Sequence, residues 1–231
     1  MTSPQGSSAP SRPWESVFSD DERRIYDLYQ RPDRPELPWH AMALLVVDVT
    51  YGFLGPKLPT LEAARQLRTA CGLPAWESLG PMRALIDAFR SADRPVVYTR
   101  AYAESQLGGA TIGAVESGAG NEIAAEIAPW ERDVVIEKAR ANAFFGTPLT
   151  SFLIRENVRG IIAVGGTTSG CVRATVLDGA ALGFAVGIAH DGCFDRSQLS
   201  HAVALKELDV KYATVLDAAT IARKVADAAR A

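Results

Sequence analysis

Gly160-Ile-Ile-Ala-Val-Gly-Gly-Thr-Thr-Ser-Gly-Cys171-Val-Arg-Ala-Thr-Val-Leu-Asp-Gly-Ala-Ala-Leu182 is the stretch from which the rest of the chain is read. Its first part, Gly160 to Gly165, is a short apolar run of the kind found in strands covered on both faces. Its last part, Val172 to Leu182, is patterned as a helix, and the loop Gly166 to Gly170 joins the two. Cys171 falls at the join, where the unpaired N–H groups and positive end of a helix favour thiolate over thiol. A cysteine placed there is either a nucleophile or small core filling. Residues at other strand ends decide between the two.

The same alternation runs outward from this stretch. Apolar or β-branched runs at Ala43–Val49, Pro95–Thr99, Asp133–Ile136, Gly160–Gly165, Phe184–Ala189 and Ala213–Leu216 read as strands. Helical patterns occupy Trp76–Ala92, Glu122–Ile127, Thr147–Asn157, Val172–Leu182, Ser197–Leu208 and Ala218–Ala229. Strands apolar on both faces, separated by helices, predict a three-layer α/β/α domain around a mainly parallel six-stranded sheet. The domain is expected over residues 41–231. Residues 1–40 read as an N-terminal arm, partly disordered, with a Ser-, Pro- and Gly-rich start and a helical segment from Asp20 to Gln30 behind the caps Ser19 and Asp20. The prolines between Arg31 and Pro38 bar that helix from continuing. The arm is expected to lie over the domain or over a neighbouring subunit.

Composition narrows the function classes. A net charge of -3 offers no broad attraction to phosphate backbones or anionic membranes, so neither nucleic acid nor a membrane is an expected partner. No apolar run reaches the roughly 20 residues of a membrane span, and the first residues lack the apolar segment of a secretory signal, so a cytoplasmic location is expected. Cys71, Cys171 and Cys193 are too few and scattered for a disulfide framework, and His40, His190 and His201 are dispersed. His190 and His201 read as ordinary surface or turn residues.

Ligands of open parallel sheets bind beyond the carboxyl ends of the strands. Two polar residues stand there besides Cys171. Asp48 lies in the run Ala-Leu-Leu-Val-Val-Asp-Val, where a carboxylate either has a buried partner or caps a loop at the sheet edge. Lys138 follows Asp-Val-Val-Ile-Glu at the end of another strand, where a lysine is either solvated or drawn into a site. One pocket can collect carboxylate, ammonium and thiol: Asp48 as general base, Lys138 holding the carboxylate and favouring thiolate, and Cys171 attacking a carbonyl. Backbone N–H groups between Gly166 and Cys171 are placed to meet the oxyanion.

Leu-Val-Val-Asp48-Val, Val-Ile-Glu-Lys138-Ala-Arg-Ala-Asn-Ala-Phe-Phe-Gly-Thr and Gly-Gly-Thr-Thr-Ser-Gly-Cys171-Val-Arg-Ala-Thr together resemble the motifs of the isochorismatase-like cysteine hydrolases. The resemblance extends from about Ala43 to the C-terminus, and the fullest match is to the amidohydrolases of that family. It implies an Asp48, Lys138 and Cys171 triad, a thioester-type acyl-enzyme, and a cis peptide at Gly166–Thr167 that turns the N–H groups of Thr167 and Cys171 toward the oxyanion. It also implies a homo-oligomer, a dimer or a tetramer. Arg196 matches the arginine that holds a substrate carboxylate in the family, the alternatives being a pair with Asp195 or a cap on the helix from Ser197. Phe53 is a candidate pocket wall, though core packing explains it as readily. The family's nicotinamide hydrolases hold a metal through histidines, and this chain has none from Met42 to Ala189, so no metal and no cofactor is expected. The enol-ether-cleaving members act without the cysteine, which argues against that reaction. The expected activity is ammonia release from a small carboxylate-bearing amide or N-carbamoyl compound. The alternatives are an amidohydrolase of the ureidoacrylate or biuret type, or a non-catalytic member that binds a small metabolite. The glycine-rich stretch Glu104–Gly120 reads as either a lid or a plain surface loop.

Overall fold

The computed structural model describes residues 12–29, 36–101 and 119–230. The expected lid, apart from its last two positions, and the first eleven residues of the arm lie outside that set. Strands β1 (Met42–Val47), β2 (Val96–Ala101), β3 (Val134–Lys138), β4 (Gly160–Gly166), β5 (Ala185–Phe194) and β6 (Thr214–Leu216) form one sheet in the order β3-β2-β1-β4-β5-β6. Every adjacent pair is parallel. The strand order reverses direction between β1 and β4, the position at whose carboxyl ends open parallel sheets bind their ligands.

The α-helices are α1 (Asp20–Leu28), α2 (Tyr51–Leu54), α3 (Thr60–Gln66), α4 (Leu73–Ser91), α5 (Leu149–Arg155), α6 (Arg173–Ala181), α7 (Gln198–Lys211) and α8 (Ala218–Arg230). Side chains alternate along β1 and so divide the core in two. Met42, Leu44 and Val46 pack with Leu79, Met82, Leu85 and Phe89 of α4 and with Ile221 and Val225 of α8. Ala43, Leu45 and Val47 face the other layer, where Leu153 of α5, Val176 of α6 and Leu205 and Leu208 of α7 lie. All six β1 side chains are buried, which is why the strand reads as continuously apolar.

Three expectations are corrected here. Residues 122–127 form no α-helix: two short 3-10 turns, Ala119–Asn121 and Ala125–Ile127, flank a segment tied to the loop after β1. Tyr51 N–H donates to the Glu122 carbonyl at 3.0 Å and Ala124 N–H to the Val49 carbonyl at 3.1 Å, so the backbone partners lie across the fold. The short helices α2 and α3 lacked enough periodicity to be anticipated. Finally, His190 to Phe194 continue β5 rather than forming a turn, and His201 is buried within α7 rather than on the surface.

The described part of the arm packs on its own domain. Ser19 and Glu22 form a reciprocal capping box at the start of α1. Trp14 is buried in the α7-side core, the Tyr26 hydroxyl donates to Glu207 at 2.8 Å, and Arg12 pairs with Asp209 at 3.2 Å.

Candidate active site

Asp48, Lys138 and Cys171 come from three separate strand ends and meet in one buried cluster. β1 ends at Val47, and Asp48 is the first residue beyond it, in the left-handed region at φ 51°. Few non-glycine residues adopt that conformation, aspartate among the more tolerant. It is held there by Thr99 of β2, whose hydroxyl donates to Asp48 Oδ1 at 2.8 Å while Asp48 N–H donates to the Thr99 carbonyl at 3.1 Å. The other carboxylate oxygen, Oδ2, accepts from Lys138 Nζ at 2.6 Å. Lys138 is the last residue of β3, and its ammonium also donates to the Arg140 carbonyl at 3.0 Å. Both side chains of the pair are nearly sealed from solvent, at 4% and 3% exposure, so each charge depends on the other.

Cys171 sits in a single π-helical turn, Thr168–Val172, that leads directly into α6. Glycines let this turn reach the sheet. A Cβ on Gly165, which has φ 108°, would meet the Val47 carbonyl oxygen at 2.1 Å, and one on Gly166 would meet the Phe194 ring at 2.2 Å. The Gly166–Thr167 peptide is cis, and Thr167 is buried directly before the turn. The Thr167 carbonyl accepts from Gly170 N–H at 3.0 Å and Val172 N–H at 3.2 Å, which closes the turn around the thiol.

The Cys171 thiol is close enough to the Asp48 carboxylate and the Lys138 ammonium for each to shift its pKa. Burial, reinforced by the Asp48 charge, pushes its pKa up to about 12 and outweighs the downward pull of Lys138. Burial alone would lower the lysine pKa, but the charge of Asp48 and its hydrogen bond raise it above the ordinary value. The expectation of a thiolate favoured by the helix end is thus corrected: at neutral pH the resting site holds a thiol beside an ion pair. Deprotonation has to be coupled to attack, and the adjacent carboxylate is the base within reach.

Arg196 follows β5, and its side chain forms neither of the alternative contacts. Its guanidinium donates to the Thr69 carbonyl and lies 5.8 Å from the Phe53 ring centroid, with Nε buried and lacking a hydrogen-bond partner. The Asp195 carboxylate instead accepts two backbone N–H groups, of Ser169 and of Arg196, each at 2.8 Å. Helix α7 is capped by the Ser197 hydroxyl, which accepts from Ser200 N–H at 3.2 Å. Phe53 is buried in the core with its ring toward Arg196, so packing and contact with the guanidinium coexist. Among the described residues, no group of three or more His, Cys, Asp or Glu side chains is placed to hold a metal ion.

Thr99, Asp195 and His201 were missed by sequence reasoning. Thr99 is a threonine in a strand, a residue type at home there, and only the β1–β2 register, with Val47 opposite Thr99, brings it to Asp48.

The family profile described as Isochorismatase domain matches residues 42–220. Maleamate amidohydrolase of Pseudomonas putida is 35% identical over 100 residues, covering 42% of this chain and 47% of that protein. N-carbamoylsarcosine amidase of an Arthrobacter species is 47% identical over 70 residues, covering 30% of this chain and 26% of that protein. The alignments thus span half or less of these relatives. Among solved structures, a cysteine hydrolase from Pseudomonas syringae superposes with a TM-score of 0.72 at 18% identity, covering 84% of this chain and 97% of that one, a likeness of fold. The family match spans most of the chain, on the sheet topology and strand ends described above, and the chain belongs to the isochorismatase family.

Proposed function

We propose that this protein is a cysteine-dependent amidohydrolase that releases ammonia from a small carboxylate-bearing amide or N-carbamoyl compound. The observation that carries the proposal is the buried convergence of the Cys171 thiol with the Asp48–Lys138 pair. A thiol that is neutral at rest, next to a carboxylate that can accept its proton, suits nucleophilic attack with concerted proton transfer.

In the proposed sequence, Asp48 takes the thiol proton as Cys171 Sγ bonds to the amide carbon, and the carbonyl π electrons move to oxygen. The N–H groups of Thr167 and Cys171 receive that oxyanion. Collapse breaks the C–N bond, Asp48 returns the proton to nitrogen, and ammonia leaves a thioester on Cys171. Water, deprotonated by Asp48, then attacks the thioester, and the thiol is regenerated with release of the acid. From an N-carbamoyl substrate that acid is a carbamate, which loses carbon dioxide. Lys138 stays charged throughout and keeps Asp48 in place.

Arg196 is the candidate partner of the substrate carboxylate. The buried Nε without a partner supports this, because an unpaired buried donor is costly and a carboxylate would satisfy it. A homo-oligomer, dimer or tetramer, belongs to the same proposal, and light scattering on the purified protein measures it.

The test is ammonia release from N-carbamoylsarcosine, maleamate, ureidoacrylate and biuret by the natural protein and by C171A. Turnover of at least one substrate, lost by about 10⁴-fold or more in C171A with unchanged thermal unfolding, is expected of a covalent nucleophile. A substrate hydrolysed equally well by C171A would overturn the mechanism, and binding of these compounds without turnover would favour the metabolite-binding alternative.

A further inference from the structure

The π-turn that carries Cys171 is tethered from outside at two consecutive residues. Thr168, with no exposed surface, places its hydroxyl 3.0 Å from the Phe194 carbonyl of β5 and 2.8 Å from Nδ1 of His201 on α7. Ser169 N–H donates to the buried Asp195 carboxylate at 2.8 Å. A hydroxyl has one hydrogen, and a backbone carbonyl can only accept. Both contacts of Thr168 are hydrogen bonds only if its hydrogen points to Phe194 and His201 Nδ1 donates. That fixes the imidazole with its proton on Nδ1.

We propose that His201 is a positioning residue for the reaction: acting through the Thr168 hydroxyl, its Nδ1–H holds the nucleophile turn in the orientation that aims the Cys171 thiol and the N–H groups of Thr167 and Cys171 at one carbonyl. Thr168 is bonded directly to Thr167 in the chain and lies within the same π-turn as Cys171, so a shift of its backbone on loss of the tether moves both. Small misplacements of reacting groups carry large rate penalties, on the order of 10²-fold for 1 Å. His201 can perform this role without its charge changing near neutrality, because burial lowers its pKa to about 4. His201 is also among the residues that line a cavity of about 620 Å³, with His190, Glu77 and Gln198, so smaller side chains at this position adjoin existing space.

The inference rests on the proposed cysteine chemistry, and its test includes a readout that needs no substrate. H201A removes the donor. H201N keeps an amide N–H near the place of Nδ1, and H201L fills volume without a donor. Expected in H201A and H201L are a kcat lowered by tenfold or more with KM within about threefold, and a changed rate of Cys171 alkylation by iodoacetamide followed by mass spectrometry. H201N is expected to recover most of the kcat and the alkylation rate of the natural protein, although its thermal unfolding stays close to that of H201L. If H201N and H201L are equally impaired, or if kcat and alkylation follow thermal stability across the three variants, the positioning role is overturned. Should the natural protein release no ammonia from any amide tested, the cysteine chemistry itself fails, whereas the alkylation rates still report whether His201 orders the turn.

Discussion

Two buried ion pairs lie at opposite ends of β3 and its flanks, and they do different things. Arg90 and Asp133 are nearly sealed, with side-chain exposures of 6% and 2%. Arg90 donates from Nε to Asp133 at 3.1 Å and from Nη2 to the Tyr98 hydroxyl at 3.2 Å and the Ala128 carbonyl at 3.1 Å, and its guanidinium lies 4.1 Å from the Trp130 ring centroid. Asp133 also accepts from Trp130 N–H at 2.7 Å. Asp48 and Lys138 are buried just as deeply, yet they adjoin a thiol that both can reach. Burial of a charge pair therefore does not mark a functional site. What separates the two is whether the charges are spent on fixed partners or left facing a group that can exchange a proton.

The largest expected break in this comparison is at Asp48. D48N is expected to lose about 10³-fold or more in turnover, since it removes the proton acceptor. Removal of the anion also takes away one of the causes that raise the Cys171 pKa and leaves Lys138 as the nearest charge. The thiol pKa therefore falls from about 12, and iodoacetamide should alkylate Cys171 in D48N faster than in the natural protein at pH 8. In the natural protein the same rate should keep rising with pH through the ordinary thiol range without levelling. A plateau near pH 8.5 would contradict the raised thiol pKa.

Next in size is the structural pair. R90M leaves Asp133 charged and buried, a change that costs about 3–5 kcal/mol. Chemical denaturation should show that loss, while kcat of the folded fraction stays within about twofold, because nothing in the cluster touches the thiol. A large fall in kcat at unchanged stability would erase the distinction between the pairs.

The smallest expected effect is at Arg196. R196A should raise KM by about tenfold to a hundredfold for substrates that carry a carboxylate, in line with about 1.5–3 kcal/mol for a hydrogen bond to a charged group. Neutral amides should be little affected. Equal losses on both would remove Arg196 from the substrate contact.

The candidate site was legible in part because its polar residues interrupt apolar strands. Asp48 and Lys138 stand out at the ends of runs that are otherwise Val, Ile and Leu, and Cys171 stands out by its glycine-rich approach to a helix. Thr99, Asp195 and His201 carry no such mark, because each is an ordinary residue at an ordinary place whose importance depends on what lies opposite. His201 is separated from Thr168 by 33 positions and meets it only because α7 packs against the π-turn that carries Cys171. The segment at 122–127 misled for a related reason, since its helical pattern yields to backbone bonds with residues 49–51.

The alternation of apolar runs with helical patterns was enough to determine a three-layer parallel fold, because strands covered on both faces need helices on both sides. The same fold rule marks the strand ends as the place of the chemistry, and Asp48, Lys138 and Cys171 stand there. The protonation state of the thiol was decided only by tertiary structure. A helix end and a nearby lysine argue for thiolate, but burial depth and the distance to a carboxylate set the balance, and neither quantity is local in the chain.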